Sequence, residues 1–387
     1  MDFAFTQDQE LIRKSVREFF EKECPKDKVR ELKDSPVGFD KKMWKKMVNL
    51  GFMGLVIPEE FGGTEGEFID LMIFMEEMGR NIVPSPFFTS VVQCSLPILE
   101  FGTEGQKAEI LPRMVEKGEI WSYAQTEAVA DDSAEDIKLT ATLDGNNYIL
   151  NGTKLFVSYA NTANKLLVAA RTSQSDNLEE GITLFYLDAK SAGVDIEVIP
   201  TIARDMRCQV KFDQVKVSQD NILGELNRGW NIIDYMQQNA AVLKAAEMAG
   251  GVQAGLELTV KYTKERHQFN KPIGSLQAIQ HKLVELMTDV EGLQFLVYQA
   301  AWKISIGEPS RKLNAMAKIK ANTVYHNMGY FGIFFHGAIG WTEEMDIGLY
   351  HIRTRANIAD GGDTDFHYDH LAEELEKHPP RFKEIYP

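Results

Sequence analysis

Residues 144–158 read DGNNYILNGTKLFVS, and the fold class turns on them. Asp144-Gly145-Asn146 is a hairpin signal, because Gly and Asn accept the positive φ of a tight turn between strands. Tyr148-Ile149-Leu150 and Leu155-Phe156-Val157 are strand-forming runs, with a second turn signal, Asn151-Gly152, between them. Moving toward the C-terminus, the runs at 166–168, 182–186, 196–199 and 210–212 continue the β pattern. The zone 121–228 is therefore expected to form an antiparallel sheet or barrel.

Both flanks read as helix. Upstream, Thr6 is placed to cap a helix, with Gln9 and Glu10 at capping-box distance. Leu11, Ile12, Val16, Phe19 and Phe20 recur at helical spacing until Pro25. A second helix carries Met43, Trp44, Met47 and Val48 and stops at Gly51, and a third carries Phe68, Leu71, Met72, Phe74, Met75 and Met78. Downstream, long apolar-periodic stretches cover 232–264, 276–305 and 311–335, enough for an antiparallel bundle. The expected architecture is α+β: an N-terminal helical domain (1–120), a middle β domain (121–228) and a C-terminal four-helix bundle domain (229–387).

The 387 residues carry 42 Lys and Arg against 57 Asp and Glu, a formal net charge of −15. Such a surface repels phosphate backbones and anionic lipid, so no nucleic-acid partner is expected. An anionic small ligand is not excluded, because it needs only a local basic pocket. Cys24, Cys94 and Cys208 are widely spaced and form no CxxC pair, which suits a reducing cytosol. The first residues lack the basic and apolar regions of a signal peptide, and no run of 18 apolar residues exists. The expectation is a cytoplasmic protein with no membrane insertion and no metal.

Six motifs, in order, resemble those of the acyl-CoA dehydrogenases. They are GFMGLVIPEEFGG (51–63), WSYAQTE (121–127), NGTKLFVS (151–158), NILGE (221–225) with Gly229-Trp230, RHQFN (266–270) with Pro272-Ile273 and Gln277, and HGAIGWT (336–342). The resemblance spans essentially the whole chain and matches its α-β-α order. It implies a flavoprotein oxidoreductase that binds FAD and removes a proton and a hydride from an acyl-CoA thioester. It further implies an electron-transfer flavoprotein or similar acceptor and a homodimer or homotetramer, with a heteromer as an alternative. The pathway implied is fatty-acid or alicyclic-acid degradation.

Residue by residue, the resemblance puts Tyr123, Gln125, Thr126, Ser133, Phe156 and Ser158 at the flavin, with Phe156 as an aromatic wall where the family has tryptophan. Arg266, Phe269 and Gln277 would hold the flavin of a neighbouring subunit, and Gly337 and Gly340 would let backbone approach its adenosine part. Thr89 and Gln93 fall at the acyl substrate. Plainer readings stand beside these. Phe156 could be sheet core, Thr126 and Ser158 strand surface, and Arg266 a solvated helix face.

The chain departs from the family at the catalytic base. Counting from Gly337, the glutamate of the family's "YEG" motif falls on Gly361; a second family location for the base falls on Ala240. Four carboxylates are candidate substitutes. Asp360 needs a one-residue shift, Asp363 follows two glycines, Asp365 is close by, and Glu247 lies two helical turns after Ala240. The alternative for each is a helix cap or an ion pair. Glu127-Ala128 replaces "EP", Asp131-Asp132-Ser133 a Gly-Ser segment, Asn270 a glycine, and Phe334 a glutamine that meets adenine. The segment 83–88, VPSPFF, resembles bacterial members that act on ring-bearing or sterol-derived acyl-CoAs.

Three functions follow. The first is oxidation of a cyclic or branched acyl-CoA by a displaced aspartate base, in a 1,2- or a 1,4-elimination. The second is a flavin-binding, catalytically silent subunit of a heteromer, and the third is an oxidase-type reaction on the same scaffold.

Overall fold

The computed structural model describes residues 4–129 and 132–379, so Asp131 lies outside the described residues. Helices α1 (Gln7–Glu23), α2 (Lys26–Leu32), α3 (Lys41–Asn49) and α4 (Phe68–Asn81) come first. A π-helical segment at Phe88–Ser95, α5 (Leu96–Phe101) and α6 (Glu104–Val115) follow. Then come strands β1 (Trp121–Ala124), β2 (Thr140–Asp144), β3 (Asn147–Ser158), β4 (Lys165–Arg171), β5 (Ile182–Asp188), β6 (Val194–Ile199), β7 (Arg207–Ser218) and β8 (Ile222–Leu223). Helix α7 (Gly229–Glu265) leads into a small hairpin of β9 (His267–Gln268) and β10 (Lys271–Pro272). Helices α8 (Gln277–Ser305), α9 (Arg311–His336), α10 (Ile347–Ala359) and α11 (Thr364–Lys377) end the described chain. The expected order of N-terminal helices, middle β-sheet and C-terminal helices is the one the chain adopts.

Two compact units interleave along the chain. One holds the residues up to Val29, Glu67–Val83 and those from Gln238 on; the other holds Arg30–Gly66 and Pro84–Gln237.

In the helical unit, Thr6 caps α1 as its sequence predicts. Its hydroxyl accepts from the Gln9 N–H at 3.2 Å, and the Gln9 side chain accepts from the Thr6 N–H at 3.0 Å. The apolar face of α1 meets α4 through Phe20 and Phe74, edge to face at 5.5 Å between ring centres. Helices α4 and α7 touch backbone to backbone. A side-chain carbon on Gly79 would run into the Glu247 carbonyl, and one on Gly250 into the Glu76 carbonyl. Only glycine permits that approach, and it brings the Glu247 turn of α7 tight against α4.

The sheet-bearing unit has the strand order β6-β7-β3-β2-β4-β5-β8, with β1 added to β4. Its core joins Trp121, Leu167, Ala169 and Leu184 from the strands to Ile98, Leu111 and Met114 from α5 and α6. Most pairings are antiparallel, but β1 runs parallel to β4, and β2 meets β4 in parallel at one residue pair. The hairpin at Gly145-Asn146 joins β2 to β3 as read from the sequence. Asn151-Gly152, however, is not a turn. Strand β3 runs straight through it, and the irregularity belongs to the partner β7, where Gln214 takes φ +52°. The Asn151 carboxamide accepts from the Gln214 N–H at 2.9 Å and so stabilises a bulge, not a reversal. A second bulge, on β3, places Leu155 and Phe156 opposite a single residue of β7. The two offsets cancel, so the register before the first equals that after the second.

Candidate functional site

Site residues gather in two places, one in each unit. In the sheet-bearing unit they surround the C-terminal end of β1. One edge of β1 pairs with β4; the other is held by side chains of the π-helical segment. The Ser90 hydroxyl accepts from the Trp121 N–H at 3.0 Å and donates to the Trp121 carbonyl at 2.9 Å. The Thr89 hydroxyl accepts from the Tyr123 N–H at 3.0 Å and is fully buried. Thr89 thus supports β1. Gln93, from the same segment, is half-buried.

Past β1, the Tyr123 hydroxyl donates to Gln125 Oε1 at 2.9 Å, and burial keeps that hydroxyl protonated well above the ordinary tyrosine range. Thr126 follows β1 and Ser158 ends β3, and these two strands do not pair with each other, since β1 pairs with β4 and β3 with β2 and β7. The segment after β1 meets β3 through a bond from the Leu155 N–H to the Thr126 carbonyl at 2.8 Å. The bulge follows that bond directly. It gives Phe156 a φ of +54° and leaves the residue 47% exposed. A bulky residue in the left-handed region is strained, and here the strain turns an aromatic face outward from a β-strand. The Ser158 hydroxyl accepts from Arg207 Nη1 at 2.8 Å and still has its own proton to donate. The Thr126 hydroxyl, half-buried, has no partner among the described residues. Ser133 begins a short turn, its carbonyl accepting from the Asp136 N–H at 3.3 Å. An exposed aromatic face beside two hydroxyls with protons to give fits a flat heteroaromatic ring with a polar rim, which is what a flavin is.

Beneath this edge lies a clamp that sequence reading did not single out. Lys154 is fully buried, and its ammonium donates to the Gln125 carbonyl and to Glu127 Oε1, each at 2.7 Å. The same Glu127 oxygen accepts from the N–H groups of Lys138 and Leu139 at 3.0 and 2.9 Å. Burial pulls the Lys154 pKa down to about 8, with Glu127 opposing.

The second place is the turn between α10 and α11 in the helical unit. Gly361 and Gly362 take φ +73° and +90°, the positive values their sequence allows. A side-chain carbon on Gly361 would stand 3.2 Å from the Ala240 carbonyl oxygen. Gly361 and Ala240, the positions on which the count along the sequence places the family's base, therefore meet here, and neither holds a carboxylate. Asp360 is half-buried on the turn, 3.4 Å from the buried Lys244 ammonium, which also bonds Glu247 at 2.6 Å. Glu247 is closed in, its other oxygen accepting from the Asn357 carboxamide at 3.1 Å. Asp363 is exposed and caps α11, accepting from the Phe366 N–H at 2.9 Å. Asp365 is exposed in the first turn of the same helix.

The residues expected at a neighbour's flavin lie on an exposed arm of the helical unit. Arg266 and Gln277 are exposed, and Phe269 stands at the hairpin tip, 83% exposed with φ +55°. Gly337 has φ +66° and nothing against it, so backbone is open to a ligand there. Gly340 differs: His336 and Ile333 of its own chain occupy the space in front of it, which makes it a packing glycine. Phe334 is exposed.

Comparison with known proteins is decisive for the family. Three models match in sequence order: acyl-CoA dehydrogenase N-terminal domain over residues 6–118, middle domain over 122–215 and C-terminal domain over 227–376. The 3-(aryl)acrylate reductase of Clostridium sporogenes is 33% identical over 89% of this chain and 92% of its own length. The chain belongs to the acyl-CoA dehydrogenase family. Subunit CarC of the caffeyl-CoA reductase-Etf complex of Acetobacterium woodii is 30% identical over 89% of this chain and 91% of its own. The structure of butyryl-CoA dehydrogenase from Megasphaera elsdenii superposes with a TM-score of 0.91 at 27% identity, covering 97% of this chain and 100% of that one. The chain is thus a flavoprotein oxidoreductase of acyl-CoA dehydrogenase or reductase type, from a family that uses FAD.

For this acyl-CoA dehydrogenase family member, sequence reading found the flavin-side motifs but not the buried cations Lys154, Lys244 and Lys318. A signal existed for two of them. Lys244 and Lys318 stand alone in otherwise apolar helical runs, AAVLKAA and AMAKI, where a charge must be buried with partners.

Proposed function

We propose that this protein interconverts a saturated acyl-CoA and its 2,3-unsaturated counterpart, with Asp360 as the group that takes or returns the α-proton. The observation that carries this reading is the closure of the Gly361 turn on Ala240, which leaves Asp360 as the adjoining carboxylate at the family's two base positions. Lys244, 3.4 Å away, favours the ionised form that can accept a proton. In the reverse direction the same group, once protonated, returns that proton. Bound FAD would supply the acceptor for the hydride that leaves the β-carbon. Phe156, Thr126 and Ser158 would hold the flavin ring. Asp363 ranks behind Asp360, because its carboxylate is engaged in capping α11.

An aspartate reaches about one methylene less far than glutamate and leaves room for bulk beside the acidic carbon. The Clostridium sporogenes and Acetobacterium woodii relatives are both named for aryl-substituted acrylic substrates, which supports a ring-bearing acyl group here. The second of them is named as part of a complex with Etf, which supports an electron-transfer flavoprotein as partner. Exposed Met287 and Phe295 on α8, and Tyr330 and Phe334 on α9, form apolar surface of the kind that subunits cover. With the arm of Arg266, Phe269 and Gln277, they support a homodimer or homotetramer, and a flavin-loaded monomer in light scattering would overturn that part.

The test is the visible spectrum of the purified protein. A yellow protein is expected, bleached without air by 3-phenylpropanoyl-CoA or cyclohexanecarboxyl-CoA faster than by butyryl-CoA. A protein that stays colourless with added FAD ends the flavin reading. A yellow protein bleached by no thioester points to a silent subunit, and peroxide formed in air points to an oxidase.

A further inference from the structure

We propose that Lys318 is the positioning residue of the Asp360 turn. From α9, its buried ammonium fixes the backbone on both sides of Asp360-Gly361 and thereby the direction of the Asp360 carboxylate. The functional part of this inference rests on Asp360 as the base; the structural part does not.

The geometry is specific. Lys318 is fully buried. Its Nζ donates to the carbonyls of Asn357 (3.2 Å) and Ile358 (3.1 Å) at the end of α10, to the Gly362 carbonyl (2.9 Å) past the turn, and to Asn322 Oδ1 (2.8 Å). The last carbonyls of a helix have no partner within it, and here one cation serves two of them together with a carbonyl beyond the turn. Another acceptor of the turn, the Gly361 carbonyl, is bonded by His367 Nε2 at 2.7 Å. Burial lowers the His367 pKa to about 4, so it acts as a neutral donor. The Asn322 carboxamide continues the tie to the Thr364 hydroxyl at 3.2 Å. Two successive glycines at positive φ make a soft hinge, and these bonds are what hold it in one shape. A buried ammonium is costly unless fully hydrogen-bonded; here it joins segments 39 to 44 residues away in sequence.

The charged groups around Lys318 are Lys244 and Glu247 on α7, Asp360 and Asp363 on the turn, and His367 on α11. Burial draws its pKa down to about 7; Asp360 opposes the shift and Lys244 adds to it. Loss of the proton leaves two donors and a lone pair among four acceptors, so the turn loosens. Global stability responds with the opposite sign. The folded pKa lies below the unfolded one, so above about pH 7 the unfolded chain binds more protons and this group's contribution to stability rises.

The test is hydrogen exchange of the full-length protein, with protection of the amides at 360–366 corrected for the intrinsic pH dependence. In the wild type, protection there is expected to fall as pH rises through about 7, while protection in the middle of α9 holds. Lys318→Met should lose turn protection at every pH. Because that variant leaves four acceptors without a donor, the isosteric Asn322→Asp provides the second arm. A carboxylate beside Lys318 should move the fall upward by about 1–3 pH units. The rate of flavin bleaching by 3-phenylpropanoyl-CoA should follow the same shift, in the maximal rate and not in the half-saturating concentration. Turn protection that is flat through pH 7 in the wild type and unmoved in Asn322→Asp overturns the proposal. If instead Asp360→Asn bleaches as fast as the wild type while the protection profile is as described, the base assignment fails and the anchoring role of Lys318 stands.

Discussion

Asp360→Asn is expected to retain FAD and to slow flavin reduction by an acyl-CoA by about 10²–10⁴-fold, the usual worth of a general base. That corresponds to about 2.7–5.5 kcal/mol on the barrier. Asparagine keeps the shape of aspartate, so the Gly361–Ala240 contact is kept, while the proton affinity of the carboxylate and its charge beside Lys244 and Lys318 are lost. The control is Asp363→Asn. Asparagine caps a helix nearly as well as aspartate, and Asp363 meets the Phe366 N–H in that role, so a change of no more than a few-fold is expected. Stopped-flow bleaching of the flavin, without air, reads both variants. If Asp363→Asn slows by orders of magnitude and Asp360→Asn does not, the two assignments exchange. If neither slows tenfold, the proton goes to another group.

The second large effect concerns stability. Glu127→Ala removes the carboxylate bonded to buried Lys154, together with the acceptor of the Lys138 and Leu139 N–H groups. A buried charge stripped of its partner typically costs about 3–5 kcal/mol. The pH dependence gives the mechanism. With Glu127 present, Lys154 titrates near 8, below its unfolded value, because burial outweighs the ion pair. Without Glu127 the folded pKa falls further, so Lys154 sheds its proton at lower pH. The deficit should then be deepest at mildly acidic pH and shrink as pH rises, as urea unfolding at several pH values would show. The Gln125 carbonyl hangs on the same ammonium, so the variant should also lose FAD on gel filtration. Lys154→Met with Glu127→Gln, which removes both charges, should recover much of the stability. A Glu127→Ala protein as stable as the wild type at all pH values would mean that the clamp contributes little.

How much of this was legible beforehand depends on the range of the interaction concerned. The Thr6 cap, the Gly145-Asn146 hairpin and the long helices are local, set by residues within a few positions of one another, and periodicity reads them directly. The bulges are not local. Asn151-Gly152 has the composition of a turn, yet the extra residue sits on β7, about sixty positions later, and nothing near Asn151 announces it. The π-helical segment at Phe88–Ser95 supplies Thr89 and Ser90 to β1, and no pattern in that apolar run foretells two hydroxyls spent on a strand edge. At the turn, Asp360 and Asp363 look equivalent in sequence, each beside the glycine pair. They separate only because α11 begins at Thr364, which makes Asp363 a cap. Of the cations that bind these pieces together, Lys244 and Lys318 stand out in their apolar runs, but all three, Lys154 included, have partners tens to more than a hundred residues away, beyond the reach of any sequence window.

The cancelling bulges of β3 and β7 also bear on which changes of chain length this sheet could accept. Excising one residue at Leu155-Phe156 would remove only the extra residue of that bulge, so Lys154 and Val157 would still face Val210 and Cys208 and the outward aromatic alone would be lost. Excising one residue from each strand, at Phe156 and at Gln214, would leave both ends of the ladder where they are and straighten only the middle. Length variation is therefore tolerable at either bulge, whereas a residue removed from the regular ladder on either side slips every pairing beyond it, and excision at Phe156 offers a way to delete the aromatic wall while leaving the sheet in register.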